Sequence, residues 1–160
     1  MMKKLFFGFA CALLVAFSTN VAQAQVNGPS YKTAGGVRVD FGDGITGFGL
    51  NVKHFLTSTN ALDGSLVFYD GGIVGLGGEF QYNDDIKGAQ GLKYYAGIGP
   101  NFLFGNNSTA VQLRPVLGLD YKINEAPINL AFDWRPMFTM NQGTDFNAGR
   151  FGLSVRFAFK

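Results

Sequence analysis

From Arg150 to Phe159 one parity of the chain reads Phe151, Leu153, Val155, Phe157, Phe159, and the other reads Arg150, Gly152, Ser154, Arg156, Ala158. A repeat of two over so many residues is a β-strand with one apolar and one polar face, because successive side chains on a strand point to opposite sides. The same alternation recurs upstream. Ile128, Leu130, Phe132 and Trp134 oppose Asn129, Ala131, Asp133 and Arg135, while Leu113, Leu117, Leu119 and Tyr121 oppose Gln112, Arg114, Gly118 and Asp120. Val74, Leu76, Phe80 and Tyr82 oppose Gly75, Gly77, Glu79 and Gln81; Val37, Val39 and Phe41 oppose Arg38 and Asp40; Phe48, Leu50 and Val52 oppose Gly49, Asn51 and Lys53. Leu62 to Tyr69 and Leu92 to Phe104 read less cleanly, the latter with Leu92, Tyr94, Ala96 and Ile98 on one side. Eight strands are predicted.

Turn chemistry falls between them. Gly42-Asp43-Gly44 and Asp70-Gly71-Gly72 are tight hairpin signals; Gly105 to Ser108 and Asn141-Gln142-Gly143 are slightly longer ones. Leu56 to Asn60, Asn83 to Gly91 and Asn124 to Pro127 supply the remaining connections. An even number of antiparallel strands can close into a barrel, which leaves no free edge.

Period two alone does not separate a membrane barrel from a soluble ligand-binding one, since the two differ in which face is outside. The polar face decides. A soluble exterior is dense in charged residues, about a quarter of a typical domain, whereas this chain is 15% charged and 47% hydrophobic. Its polar parity mixes long charged side chains with Gly47, Gly49, Gly75, Gly77, Gly97, Gly99, Gly118 and Gly152. Small beside long fills the narrow interior of an eight-stranded barrel, so the apolar face is expected to meet lipid.

The amino terminus has a separate role. Met1-Met2-Lys3-Lys4 is a basic start, Leu5 to Phe17 an apolar run too short to span a bilayer, and Ala22-Gln23-Ala24 a small-x-small cleavage site. Residues 1–24 are therefore expected to be a signal peptide and residues 25–160 an outer-membrane barrel domain. Lys3 and Lys4 leave with the peptide, so 13 − 2 = 11 bases face 11 acids and the mature chain has no net formal charge. Nucleic-acid binding loses its electrostatic basis. Cys11, the one cysteine, lies within the apolar run, and Gly8-Phe9-Ala10 before it lacks the large aliphatic residue of a lipoprotein site. With Cys11 removed, disulfide and thiol chemistry are excluded.

With both termini periplasmic, Tyr82, Tyr94, Tyr121, Phe157 and Phe159 fall toward the periplasmic ends of their strands, on the apolar parity. Phe41, Phe102, Phe104, Trp134 and Phe138 lie at the opposite end. Two such groups read as the interfacial aromatic belts of a membrane barrel. Pro100, Pro115 and Pro136 gather toward the outer rim; a proline removes a ladder hydrogen bond, so irregularity is expected there.

These features resemble the small eight-stranded outer-membrane barrels of Gram-negative bacteria, of the outer-membrane protein X and opacity-protein type. The resemblance covers about Tyr31 to Lys160. It is carried by the signal peptide, the strand count, the short strand-turn-strand Tyr121 to Leu130, and the aromatic final strand Phe151 to Phe159, followed here by Lys160. It implies an all-β, up-and-down antiparallel transmembrane barrel in the outer membrane. Its implied partners are outer-membrane lipid and lipopolysaccharide, the insertion machinery during biogenesis, and a larger membrane complex if the chain is an accessory subunit.

The polar parity places Arg38, Lys53, Lys93, Arg114, Arg135, Arg150 and Arg156 in the lumen with Asp40, Glu79, Asp120 and Asp133. Buried charges need partners, and the first reading is an internal ion-pair network that stiffens the barrel. Seven bases against four acids leave a surplus, which supports a second reading as a narrow anion-favouring pore. His54 with Ser58, and Asp63 nearby, is a candidate for acyl chemistry on lipid A; the spacing in a turn favours instead a histidine at the membrane interface. Asp84-Asp85 reads as a solvated turn pair, and no phosphate loop, metal spacing or cofactor signature is present. The expected role is non-enzymatic: structural, adhesive or accessory, with adhesion weakened by the short outer turns.

Overall fold

A computed structural model describes residues 30–141, 143 and 145–159; the expected signal peptide, residues 1–24, lies outside them. Ten strands run in order: β1 (Thr33–Gly42), β2 (Ile45–Phe55), β3 (Asn60–Tyr69), β4 (Ile73–Asp85), β5 (Leu92–Gly105), β6 (Ser108–Lys122), β7 (Ile128–Trp134), β8 (Met137–Thr139), β9 (Asp145–Asn147) and β10 (Phe151–Phe159). β7 and β8 are two parts of one stave, as are β9 and β10, so the wall has the eight staves expected. Each of β1 to β7 and β10 pairs antiparallel with its neighbours; β10 closes on β1, and β5 on β6. The result is a closed antiparallel barrel.

Its stagger follows from the register. Partner residues followed from Phe41 pass through Phe151, Trp134, Leu117, Ala96, Tyr82, Asn60 and Leu56 and return to the first stave at Tyr31. The offset of 41 − 31 = 10 residues over eight staves tilts the strands by about 40°. Strands of 10 to 15 residues in β1 to β6 match or exceed the roughly 9–11 residues that a tilted strand needs to cross a bilayer.

Local chemistry sets the turns and breaks. Asp43 and Gly44 both take positive φ, 49° and 73°, the tight hairpin geometry whose twist matches that of the flanking strands. At the junction of β7 and β8 the register brings Pro136 opposite Pro115. Neither proline has an N–H, so the ladder lapses between Leu117↔Trp134 and Leu113↔Phe138. Pro100 similarly stands opposite Gly78, where the β4–β5 ladder skips two positions. The irregularity expected from the three prolines is therefore real, and it flanks the β5–β6 hairpin on both sides.

Burial is inverted relative to a water-soluble domain. Phe48, Leu50, Leu76, Phe80, Leu117 and Phe132 are exposed, whereas Arg38, Lys53, Glu79, Arg114, Asp120 and Asp133 are buried. An apolar surface this continuous is not tolerated in water, and a closed ladder is the one sheet arrangement that satisfies its backbone in hydrocarbon. Among the described residues no helix is long and apolar enough to cross a membrane.

The inner glycines do two different jobs, only one of which is filling space. A Cβ on Gly36, Gly49 or Gly99 would strike the backbone carbonyl of Val155, Leu66 or Gly78 in the neighbouring strand. These positions let the wall curl tightly. On Gly77, Gly118 or Gly152 a Cβ would instead strike Arg114, Tyr95 or Arg38, so those three make room for long lumen side chains.

Candidate functional site

All eleven charged residues expected in the lumen are buried. They sort into two tiers and two mouths. We call the end where β1 starts and β10 stops the terminal end, and the opposite one the far end.

The first tier is a closed ring of alternating charge. Arg38 pairs with Asp40 through Nε and with Asp133 through Nη2 (2.8 Å). Asp133 accepts from Arg135 Nε (2.5 Å), whose Nη1 reaches Glu79 (2.6 Å). Arg114 closes the circuit at 3.5 Å from Glu79 and 3.5 Å from Asp40. The alternation of the strands aims Arg38 and Asp40 of β1, Glu79 of β4, Arg114 of β6 and Asp133 of β7 at one another; Arg135 joins from the proline break. Tyr95 and Tyr69 donate their hydroxyls to Asp133 (2.6 Å) and Asp40 (3.0 Å), and Arg38 Nη1 donates to Ser154 Oγ (3.1 Å). Each acid is thus shared by two arginines, which a buried charge requires to be tolerable.

The second tier, nearer the terminal end, centres on Asp120. It accepts from Tyr31 (2.8 Å), Lys53 (3.1 Å) and Asn129. Lys53 also donates to Asn83 (2.5 Å) and stands over the Tyr95 ring at 4.3 Å, a cation–π contact. Asp63 accepts from Asn51 (2.6 Å), and Arg156 lies 3.7 Å from both Asp63 and Asp120. At the mouths, Lys93 pairs with exposed Asp85 (2.7 Å), and Arg150 donates to the carbonyls of Gly42 (2.6 Å) and Ile45 (3.0 Å).

This arrangement narrows the charge surplus read from the sequence. Asp63 faces inward, while Lys93 and Arg150 find their partners at the mouths. The enclosed set is then Arg38, Lys53, Arg114, Arg135 and Arg156 against Asp40, Asp63, Glu79, Asp120 and Asp133. In that enclosed set five bases face five acids, and what remains of the surplus lies at the mouths, where Lys93 has the carboxylate of Asp85 and Arg150 the neutral carbonyls of Gly42 and Ile45. Sequence reading missed Asp63 because its strand hides the pattern: Gly64 sits on the apolar parity and Val67 on the polar one. It also missed Tyr95 and Asn83, for which parity along each strand was the available signal, and Tyr31, which precedes β1; Asn51 and Asn129 it placed on the polar parity without a role.

The aromatic residues expected at the membrane interfaces occupy the outer wall. Tyr82, Tyr94, Tyr121, Phe102, Trp134 and Phe138 are exposed, whereas Phe41, Phe157 and Phe159 are half-buried. Phe157 and Phe159 pack at 5.1 Å and Phe41 stacks on Phe151 at 6.0 Å. Trp134 donates its indole N–H to the Ala148 carbonyl (2.6 Å).

His54 shares a hydrogen bond between Nδ1 and Thr33 Oγ1 (2.8 Å). Asp63 cannot orient that ring, because Asp63 pairs in register with inward-facing Lys53 while His54 sits opposite Leu62 on the outer face. Ser58 is exposed in the following turn. Among the described residues no three His, Cys, Asp or Glu side chains form a group able to hold a metal ion.

A closed eight-stave wall with an apolar outside and an ion-paired inside is the fold of a transmembrane β-barrel. Solved structures agree. The N-terminal β-barrel domain of Pseudomonas aeruginosa OprF is similar over 83% of this chain and 100% of that one, with a TM-score of 0.65 at 17% identity. A de novo designed transmembrane β-barrel is similar over 83% of this chain and 98% of that one, with a TM-score of 0.56 at 13% identity. No family model and no curated protein matches the sequence.

Proposed function

We propose that this chain is a small integral protein of the Gram-negative outer membrane with a structural or accessory role and a lumen closed by its own side chains. The observation that carries the reading is the inverted barrel, with five enclosed bases balanced by five enclosed acids beneath an apolar exterior. The signal-peptide pattern of residues 1–24 supports export across the inner membrane, with the terminal end then in the periplasm. The aromatic final strand supports the outer-membrane protein X and opacity-protein type and delivery by the outer-membrane insertion machinery. Contacts with lipid and lipopolysaccharide follow from the exposed wall. The short turns at the far end, Asp43-Gly44 and Asp70–Gly72, favour a structural or accessory role over adhesion, and an accessory subunit would sit in a larger membrane complex.

The test is fractionation of cells expressing the full chain, followed by gel migration with and without boiling. The proposal expects the protein in the outer-membrane fraction, shortened by its leader, with a band that shifts on heating. A soluble periplasmic protein with one unshifted band would refute it. Co-purification after gentle detergent extraction then separates an accessory subunit from a lone structural barrel.

A further inference from the structure

We infer that Lys32, Thr33 and His54, at the terminal end of β1 and β2, form an outer-wall site for the phosphodiester of an anionic glycerophospholipid. The inference rests on the membrane-barrel reading above, which puts this end at the periplasmic leaflet.

The site interrupts a belt of different character. Around the terminal end the outer wall carries Tyr82, Tyr94, Tyr121 and Ile128, all exposed, side chains that suit the boundary between hydrocarbon and headgroups. At the same end β1 and β2 set two polar side chains against each other. Thr33 pairs in register with His54, and Phe159 of β10 and Leu62 of β3 bound the row. Thr33 Oγ1 and His54 Nδ1 share a hydrogen bond of 2.8 Å. With the hydroxyl as donor the ring proton sits on Nε2, which has no hydrogen-bond partner among the described residues. The pair thus spends one ring nitrogen within the wall and leaves the other as a donor for a phosphate oxygen.

Exposed Lys32 supplies the charge. Its backbone is held on both sides, its N–H donating to the Phe159 carbonyl (3.1 Å) and its carbonyl accepting from Phe55 N–H (2.8 Å), so the root of the side chain stays beside Thr33 and His54. Residues 30–35 and 52–62 contain no acid, and Asp63 is buried in the lumen. An ammonium headgroup finds no carboxylate here, which favours a lipid of net negative charge over a zwitterionic one. A track for its acyl chain leads toward the far end. The next outward row reads Gly35, Val52 and Gly64; a Cβ on Gly35 would meet nothing closer than Val52 at 3.6 Å, and one on Gly64 nothing closer than 4.0 Å. The wall is bare backbone on either side of Val52, and hydrocarbon can lie against it.

The experiment places the mature protein in vesicles of equal parts phosphatidylethanolamine and phosphatidylglycerol. Solid-state NMR measures dephasing of the imidazole nitrogen signals by lipid phosphorus, which reports on one residue because His54 is the chain's single histidine. Native mass spectrometry of the extracted barrel counts the lipids it retains. Dephasing at Nε2 is expected, with phosphatidylglycerol retained about fivefold over phosphatidylethanolamine, the weight of one lysine at an anionic surface. Lys32→Gln should bring that ratio to parity, Thr33→Val should weaken the dephasing by releasing the ring, and Gly35→Leu should lower lipid retention by filling the track. Heat-shifted gel migration verifies folding of each form. Equal retention of the two lipids by wild type, or no dephasing in a folded, inserted barrel, overturns the site. Dephasing by inorganic phosphate in maltoside micelles that matches the vesicle signal overturns the lipid assignment. A wild type that neither shifts on heating nor inserts refutes the underlying membrane reading instead.

Discussion

Asp133→Ala is the sharpest test of the lumen's energetics. The carboxylate accepts from Arg38 Nη2 (2.8 Å), Arg135 Nε (2.5 Å) and Nη2 (3.1 Å), and Tyr95 Oη (2.6 Å), with no exposure to solvent. Its loss leaves two guanidinium groups with one acid each, Arg38 with Asp40 and Arg135 with Glu79. Breaking a buried pair from one side costs about 3–5 kcal/mol, because the surviving charge remains desolvated. With a urea slope of about 2 kcal/mol/M, the midpoint should fall by about 2 M. The assay is equilibrium urea unfolding in lipid vesicles followed by tryptophan emission, since Trp134 is the chain's single tryptophan and immediately follows Asp133. A loss below about 1 kcal/mol, the range of exposed pairs, would mean that the ring is hydrated and its geometry carries little of the stability.

Lys93→Ala supplies the contrast: its partner Asp85 is 70% exposed, so the same titration should show a loss of at most about 1 kcal/mol, weaker still in high salt. Gly99→Ala drives a Cβ into the Gly78 carbonyl and should cost about 1–3 kcal/mol. Gly78→Ala meets nothing within 4 Å and should be neutral or stabilising by up to about 1 kcal/mol; equal losses from the two glycine variants would refute the assignment of inner and outer faces. Leu117→Arg, on the outer wall between Ala96 and Trp134, should cost about 2–4 kcal/mol in vesicles if that level lies near the bilayer midplane, and an unchanged unfolding curve would remove this surface from lipid.

The wall was legible in the sequence because period-two alternation survives in single strands without knowledge of partners. What required the structure was everything set between strands. Pro115 and Pro136 are unremarkable singly, and their mutual opposition appears only once β6 and β7 are in register. Gly99 and Gly152 share a parity, yet one yields to a backbone carbonyl and the other to an arginine. Asp63 was obscured by neighbours of the wrong polarity, and with it the charge balance. Tyr31 carried no signal at all, since a tyrosine ahead of a strand reads as a lead residue until β6 brings Asp120 beneath it.

The enclosed charges also account for the uniqueness of the register, a property that an apolar filling would not confer. A strand shifted by one residue exchanges its two faces. In a barrel with leucines on both sides such a slip would cost little, because lipid tails and a greasy lumen are similar solvents. Here a slip of β1 would turn Arg38 and Asp40 together into hydrocarbon and break the two ring pairs they make with other strands, Arg38–Asp133 and Arg114–Asp40. At about 2–4 kcal/mol for an arginine near the midplane, plus the unpaired partners left inside, the displaced register is disfavoured by more than the few kcal/mol that separate competing pairings. The interior therefore selects the fold as much as it stabilises it.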